Sequence, residues 1–461
     1  MTKINLTILP LFLVMAGCAL YHPKPLATTP SFLNQVPRFI VKGKLPHTKS
    51  TSHPFNPDDG LDMTEVTILA VANNPDLRAA RDEQGIAASQ LMAAGILPNP
   101  QLTAGIDHPF GVGPGYFNAF NLGLSYDIGT LVTRSAAIDS AQANSRNIYW
   151  SLLWQEWQVM QKARLLFIRS IEEDKMRHEM MAYRDLLADR YQRADRALQQ
   201  GNMTIDAVSA NLSELQSIQG RLAELERRHS QTRHDLNALL GLAPEVDLAL
   251  TDSVELPTIT DAAVPGLLRQ LPQRRPDLLA LQAGYESQEA QVRKAVLAQF
   301  PALNVGLTRA RDTSNINTYG FGVTLTLPLF DRNQGAIAVA RATRRKLYDE
   351  YQARLNGAYS ETKSLMAQIV LVQRQYQAVR DSLPALANVV EKAAKALASG
   401  NMEFATFTSI QSALYEKRLE ALSLEQSLLE QKAVLQTLVG SDFSGNSESS
   451  QILLERERGK Q

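Results

Sequence analysis

Residues 319–329 read Tyr-Gly-Phe-Gly-Val-Thr-Leu-Thr-Leu-Pro-Leu, and this stretch decides the fold. Its odd positions are all aromatic or aliphatic, whereas its even positions hold glycine, threonine or proline. A period of two predicts a β-strand with one apolar face. The same period recurs, in part more weakly, in three other stretches: 101–107, 118–128 and 303–308. We therefore expect two β-hairpins, with loops at 109–117 and 310–318.

These strands resemble membrane-spanning strands in length and pattern. About ten residues with one apolar and one polar face are typical of a transmembrane β-barrel. A soluble sandwich, or a sheet packed on helices, is the alternative on pattern alone. Four strands cannot close a barrel, since the smallest barrels have about eight, and open strand edges are not tolerated in lipid. If the strands span a membrane, we therefore expect an oligomer, most simply a symmetric ring.

Very long helices follow each strand pair. Residues 130–200 contain neither glycine nor proline and are rich in helix-forming residues. As one helix they would extend roughly 105 Å. Residues 402–439 carry apolar side chains at a spacing of seven, which is the coiled-coil pattern. We predict four long helices, at about 130–200, 203–240, 333–399 and 402–439.

The chain consists of two similar sequence repeats in succession. Asn74-Pro75-Asp76-Leu77 reappears as Arg275-Pro276-Asp277-Leu278, and Gly201-Asn202-Met203 reappears as Gly400-Asn401-Met402. Both matches occur in the same order at nearly the same offset, which indicates an internal duplication. The domain prediction is a first repeat at 61–241, an inter-repeat linker in an equatorial region at 242–274, a second repeat at 275–440 and a flexible tail at 441–461.

The N-terminus carries an export signal. Residues 6–15 are mostly apolar but too short to span a membrane. Met15-Ala16-Gly17 then precedes Cys18, the only cysteine, and small residues before a cysteine resemble the bacterial lipobox. That resemblance implies a signal peptide at 1–17 and a lipidated arm at 18–60, with Cys18 acylated. In lipoproteins of this kind, an aspartate directly after the cysteine implies retention in the inner membrane. This chain has Ala19 at that position, so the resemblance favours the outer membrane. The alternative is an ordinary signal peptide whose cysteine is incidental.

Composition and motifs exclude several functions. Lys and Arg number 47, as do Asp and Glu, so the chain lacks the basic excess of a nucleic-acid binder. We find no nucleotide-binding loop, HExxH motif or supported catalytic triad. We therefore predict no enzyme, no catalytic residue and no cofactor beyond the covalent lipid. Met176, His178 and Met180 are candidate soft-metal ligands, but methionine also fills helix packing, and we predict no metal site.

The arrangement resembles the TolC-like outer membrane efflux factors over about residues 60–440. The resemblance rests on the duplication, the strand-strand-helix-helix order, the Pro-Asp-Leu entries at 75–77 and 276–278, and the stretch 325–331. It implies an α+β membrane protein that forms a homotrimer. Three chains would supply a 12-stranded outer-membrane β-barrel continued by a periplasmic α-helical coiled-coil barrel. Its helical tips would contact a periplasmic adaptor protein, which couples them to an inner-membrane pump.

The resemblance also assigns positions at the tips. It implies adaptor contacts at six residues: Gly201, Asn202, Met203, Gly400, Asn401 and Met402. The family often places aspartates just after the second tip, but this chain has Thr406 and Ser409 there, with Glu403 as the nearest acid. We therefore expect a less acidic gate at these three positions.

Local chemistry gives two further expectations. A glycine that ends a helix commonly adopts a left-handed conformation, which we expect of Gly201 and Gly400. An asparagine can cap the next helix, which we expect of Asn202 and Asn401. In the first repeat, Asp127-Ile128-Gly129 occupies the slot of Pro328-Leu329-Phe330, so the bend from strand to helix is expected at Gly129.

The function predicted from the sequence is a passive outer membrane duct of a tripartite efflux system. It would export small solutes, metal ions or drugs, from a pump to the exterior, and would extend from the outer membrane into the periplasm. Two alternatives stay open: a periplasmic coiled-coil scaffold or adaptor lipoprotein without a pore, and an exit channel for type I secretion. A lipid-anchored enzyme has no supporting constellation. The sequence does not identify the cargo.

Overall fold

The computed structural model describes residues 21–39, 55–111, 115–256 and 264–440. The signal peptide, Cys18 and the predicted tail at 441–461 lie outside the described residues. The described part is dominated by helices, and none of these helices has an apolar stretch long enough to cross a bilayer.

Each half of the chain contains the same succession of elements. The first half comprises α1 (Met63–Asn73), α2 (Pro75–Gly95), β1 (Gln101–Asp107), β2 (Ala119–Asp127), α3 (Gly129–Gln199) and α4 (Ile205–Leu239). The second half comprises α5 (Val264–Arg274), α6 (Pro276–Leu297), β3 (Leu303–Arg311), β4 (Asn317–Leu325), α7 (Gln334–Ala398) and α8 (Phe404–Val439). The sequence did not predict the four shorter helices, α1, α2, α5 and α6, which precede the strands.

The four strands form one antiparallel sheet in the order β1-β2-β3-β4. The two hairpins join through β2 and β3, where Tyr126 lies opposite Val305. Most of the sheet's apolar side chains are exposed in the single chain; Phe321, for example, is 71% exposed. β1 and β4 are its two outer strands, so each has one edge that pairs with no described strand.

The second hairpin differs from its predicted bounds at both ends. β3 continues to Arg311 and β4 begins at Asn317, so the loop is shorter than 310–318. Asp312 makes this possible, because its carboxylate accepts hydrogen bonds from the backbone of Ser314 and Ile316 at 2.8 and 2.9 Å. β4 ends at Leu325 rather than at residue 329, three residues before Pro328, which cannot donate to a strand ladder.

The bend of the first half lies at Gly129, as expected. The Gly129 N–H donates to the Asp127 carboxylate at 2.8 Å, and the Ile128 N–H donates to the Leu303 carbonyl at 2.9 Å. A Cβ atom at Gly129 would lie 3.3 Å from the Cα of Ala302. Glycine therefore permits the close approach of the two strand ends at the point where α3 leaves the sheet.

The main hydrophobic core lies near the middle of the long helices, far from the strands. It combines α1, the centre of α3 and the ends of α4 and α8, including Leu69, Phe167, Leu236, Leu240 and Ala433. The N-terminal arm joins this core at Leu33, which exchanges backbone hydrogen bonds with Gly241 and Ala243 at 3.0 and 2.9 Å. The core thus fixes the two helical hairpins relative to each other at the end opposite their tips.

Candidate functional site

The two tips have the same backbone geometry. Gly201 and Gly400 both adopt φ of +75°. The next residue then donates its N–H back into the preceding helix, from Asn202 to the Ala197 carbonyl at 2.8 Å and from Asn401 to Ala396 at 2.9 Å. These bonds define a Schellman motif. The prediction that both glycines end their helices in the left-handed conformation is therefore confirmed.

The prediction that Asn202 and Asn401 cap the following helices is wrong. The cap of α4 is Thr204, whose hydroxyl accepts from the Ala207 N–H at 3.4 Å. The residue before α8 is Glu403, which makes no side-chain cap hydrogen bond. The backbone N–H of each asparagine bonds to the preceding helix instead. The next helix begins a few residues later, at Ile205 or Phe404.

The three gate candidates share one face at the start of the returning helix. Glu403, Thr406 and Ser409 recur every three residues and are all exposed. Met203 and Met402 are half-buried, whereas Asn202 and Asn401 are exposed. The adaptor and gate roles of these residues stay predictions. In the structure these residues lie at the turn between α3 and α4 and at the turn between α7 and α8, with the start of α8.

A buried cation from α3 lies against another face of α8. Arg190 of α3 is only 8% exposed, and its guanidinium lies 5.7 Å from the ring centre of Phe404 and 5.5 Å from that of Phe407. Burial lowers the pKa of Arg190 below its usual value. Its two terminal nitrogens have no hydrogen-bond partner among the described residues. Cation–π attraction to the two rings and the charge of Glu214 therefore both favour the charged guanidinium against the cost of its burial.

A hydrogen-bonded group lies about two helical turns farther from the tip. Tyr183 stacks on Tyr415 with ring centres 3.9 Å apart. The Tyr183 and Ser412 hydroxyls both donate to the Glu214 carboxylate. Burial, together with the hydrogen bond to Glu214, raises the pKa of Tyr183 above its usual value. The structure therefore ties α3, α4 and α8 together here, and we call the whole set the tip cluster: Tyr183, Arg190, Glu214, Phe404, Phe407, Ser412 and Tyr415.

Ion pairs continue this connection away from the tip. They link the first hairpin, α3 and α4, to α8: Arg169–Glu430 at 2.9 Å, Glu179–Arg418 at 2.9 Å and Arg221–Glu416 at 2.5 Å. Exposed pairs of this kind contribute about 0–1 kcal/mol each. The buried tip cluster is therefore the stronger connection between the two hairpins near their tips.

The Met and His residues that suggested a soft-metal site do not converge. Met176 and Met180 pack with the core around Leu187 and Leu215, whereas His178 is exposed and its Nδ1 lies 2.7 Å from the Asp174 carbonyl. Within the described ranges, no group of three or more His, Cys, Asp and Glu residues has the arrangement to hold a metal ion.

Sequence reasoning missed the tip cluster. A signal was present, because Tyr183 and Arg190 are seven residues apart on α3 and therefore share a helix face. The partners of that face could not be deduced, since heptad spacing identifies an interface without showing what lies across it.

Comparisons with known proteins agree with this architecture. Residues 267–441 match the model of the outer membrane efflux protein family. The cobalt-zinc-cadmium resistance protein CzcC of Cupriavidus metallidurans is 24% identical over 410 residues, which cover 87% of this chain and 94% of CzcC. The second half of the chain therefore carries the sequence pattern of the outer membrane efflux protein family. The predicted resemblance to the TolC-like outer membrane efflux factors, a family of non-enzymatic channels, is confirmed.

Solved structures share the fold of this chain. The outer-membrane channel OprN has a TM-score of 0.71 at 16% identity, with 92% of this chain and 99% of OprN covered. CusC, whose crystal structures concern folding and transmembrane channel formation, has a TM-score of 0.68 at 17% identity, with 89% and 99% covered. The predicted fold class is confirmed. The predicted location in the outer membrane, with an extension into the periplasm, agrees with the description of the matched family model.

Proposed function

We propose that three copies of this efflux protein form a passive duct through the outer membrane. The observation that carries the proposal is the four-stranded sheet, with its exposed apolar face and two open edges. Three copies supply twelve strands, which is enough to close a barrel. Closure pairs β1 of one copy with β4 of the next and removes the edges that lipid does not tolerate.

The helices extend this duct into the periplasm. α3 and α7 contain 71 and 65 residues, so each is roughly 100 Å long. Their tips are the proposed contact for a periplasmic adaptor, which couples the duct to an inner-membrane pump. The energy for transport comes from that pump, because a water-filled passage only lets solutes move down their gradient. A covalent lipid on Cys18 is part of the proposal and would provide a second membrane attachment.

We propose small solutes as the cargo, metal ions or drugs. CzcC is named for resistance to cobalt, zinc and cadmium, which favours metal ions as the first class to test. A passive duct needs no metal ligands of its own, since the pump selects the cargo. A coiled-coil scaffold without a pore would not need the exposed apolar strands, and a type I secretion channel would instead export a polypeptide.

Planar bilayer recording tests the duct directly. Purified protein should run as a trimer. It should produce discrete ion-conducting steps once the tip is weakened by Tyr183→Phe combined with Ser412→Ala. The protein with an intact tip serves as the matched control and should conduct much less. Trimers that insert but never conduct, even with a weakened tip, would favour the scaffold function and contradict the duct.

Changes at the second tip should impair export without preventing assembly. Gly400→Trp forces a bulky residue into a left-handed backbone, and Glu403→Lys places a cation at the positive end of α8. We expect each to reduce export by roughly tenfold, because both alter the proposed adaptor contact. Export is measured as resistance to the pump's substrates at matched trimer levels.

Glu226→Lys provides the control for charge reversal. Glu226 is exposed on α4, about 30 Å along the helix from the first tip, and its reversal should leave resistance unchanged. Equal resistance in all three variants, at normal trimer abundance, would contradict the assignment of the tips as the adaptor contact.

A further inference from the structure

Two arginines lie on the apolar face of the sheet. The register places Leu303, Val305 and Leu307 of β3 in line with the apolar residues of β2 and β4. Because alternate residues share a face, Arg309 and Arg311 continue this same row. Within the described strands they are the only charged residues on that face, and both lie at the hairpin end, away from the helices.

Each arginine is held against an aromatic ring on the neighbouring strand. Arg309 lies directly opposite Tyr319, and its guanidinium is 5.5 Å from the ring centre. Arg311 lies directly opposite Phe120, with a distance of 5.2 Å. Aromatic stacking leaves the guanidinium edges available for hydrogen bonding. The two Cα atoms are about 7 Å apart along the strand, so both side chains can reach one small anion.

The protein itself does not neutralise these charges. Neither arginine forms an ion pair with a described residue, and the Arg311 Nε atom is buried without a hydrogen-bond partner among them. The Arg311 Nη2 group donates only to the backbone carbonyl of Asn118, at 3.1 Å. Asp312 is adjacent, but its carboxylate accepts two backbone N–H groups of its own loop.

The depth of these side chains indicates what neutralises them. Leu303, at the other end of the strand, is about 20 Å from Arg309, and the apolar band of an outer-membrane barrel is about 25 Å tall. Arg309 and Arg311 therefore lie at its outer margin, beside aromatic residues of the kind that mark the interface. Arginine on the lipid face costs about 2–4 kcal/mol at the midplane but little at this level.

We propose that Arg309 and Arg311 form a binding site for the phosphate of a phosphorylated glycolipid in the outer leaflet. This rests on the proposed function, because the hairpins face the exterior only if the helices extend into the periplasm. Arginine binds phosphate with two parallel hydrogen bonds, and three such pairs would surround the barrel. The lipid would then hold the rim of the barrel at a fixed height in the membrane.

Native mass spectrometry of the trimer in detergent tests the site, with diphosphoryl lipid A as the probe. We expect the wild-type trimer to retain this lipid and to bind a fully dephosphorylated form at least about tenfold more weakly. Arg309→Gln combined with Arg311→Gln should lose the phosphate preference. Arg332→Gln is the matched control, since Arg332 is exposed beyond the opposite end of β4.

Two results would overturn the site. One is equal retention of the phosphorylated and dephosphorylated lipids by the wild-type trimer, which needs no variant and is independent of folding defects. The other is undiminished retention by the double variant. The duct is tested separately by conductance in bilayers. Conductance without a phosphate preference would contradict only the lipid-site proposal. Phosphate-dependent retention without conductance would contradict only the duct proposal.

Discussion

Replacing Asp277 with alanine should lower the free energy of unfolding by about 3–5 kcal/mol. Arg275 is 1% exposed and donates from Nε and Nη2 to the two carboxylate oxygens of Asp277, at 3.0 and 2.8 Å. Its guanidinium also lies 5.1 Å from the Trp154 ring centre. Without Asp277, a buried cation loses its counterion and two hydrogen bonds at once, because the aromatic ring cannot supply either.

The internal duplication provides the matched control. Asp76 occupies the equivalent position in the first repeat but is exposed, so Asp76→Ala should change stability by no more than about 0.5 kcal/mol. Chemical denaturation monitored by tryptophan fluorescence measures both, with Trp154 beside the altered site. Similar losses in the two variants would mean that the pair at 275–277 is not what stabilises the start of α6.

The same two sites show what a repeated motif can and cannot predict. The repeat of Pro-Asp-Leu correctly indicated a duplication, and both copies begin a helix at proline. The residue before proline differs in its role. Asn74 caps α2 by accepting from the Leu77 N–H at 3.1 Å, whereas Arg275 pairs with Asp277. Whether an aspartate is exposed or buried depends on residues distant in the chain, which the motif does not contain.

The long helices and the strands were predictable because their signals are periodic and extend over many residues. α3 runs over Gly129–Gln199, against a predicted 130–200. β3 was predicted to stop at 308, since the apolar alternation ends there, yet backbone pairing continues to Arg311. Arg309 and Arg311, which form the proposed lipid site, lie in the part of β3 beyond residue 308. In the proposed site, these charged residues interrupt the apolar alternation at the place where the strand would leave the hydrocarbon.

Removing both hydroxyl donors to Glu214 should open the tip. The double variant Tyr183→Phe and Ser412→Ala preserves the ring stack with Tyr415 but leaves a half-buried carboxylate without either hydrogen bond. Hydrogen bonds to charged groups contribute about 1.5–3 kcal/mol. The bond from Ser412 to Glu214 joins the first hairpin to α8, and the Tyr183 hydroxyl also lies 2.8 Å from the Ser412 hydroxyl. The loss therefore falls on the packing of the first hairpin against α8. We expect the open population to rise about ten- to a hundredfold.

Single-channel conductance of trimers in planar bilayers measures this population, and Tyr376→Phe is its control. That change also removes a tyrosine hydroxyl donating to a glutamate, since Tyr376 donates to Glu425 at 3.4 Å. However, Tyr376 and Glu425 belong to α7 and α8, which form one hairpin, so their bond does not resist separation of the two hairpins. Only the double variant should therefore conduct more. If both variants conduct like the unaltered trimer, contacts other than the Glu214 hydrogen bonds hold the two hairpins together near their tips.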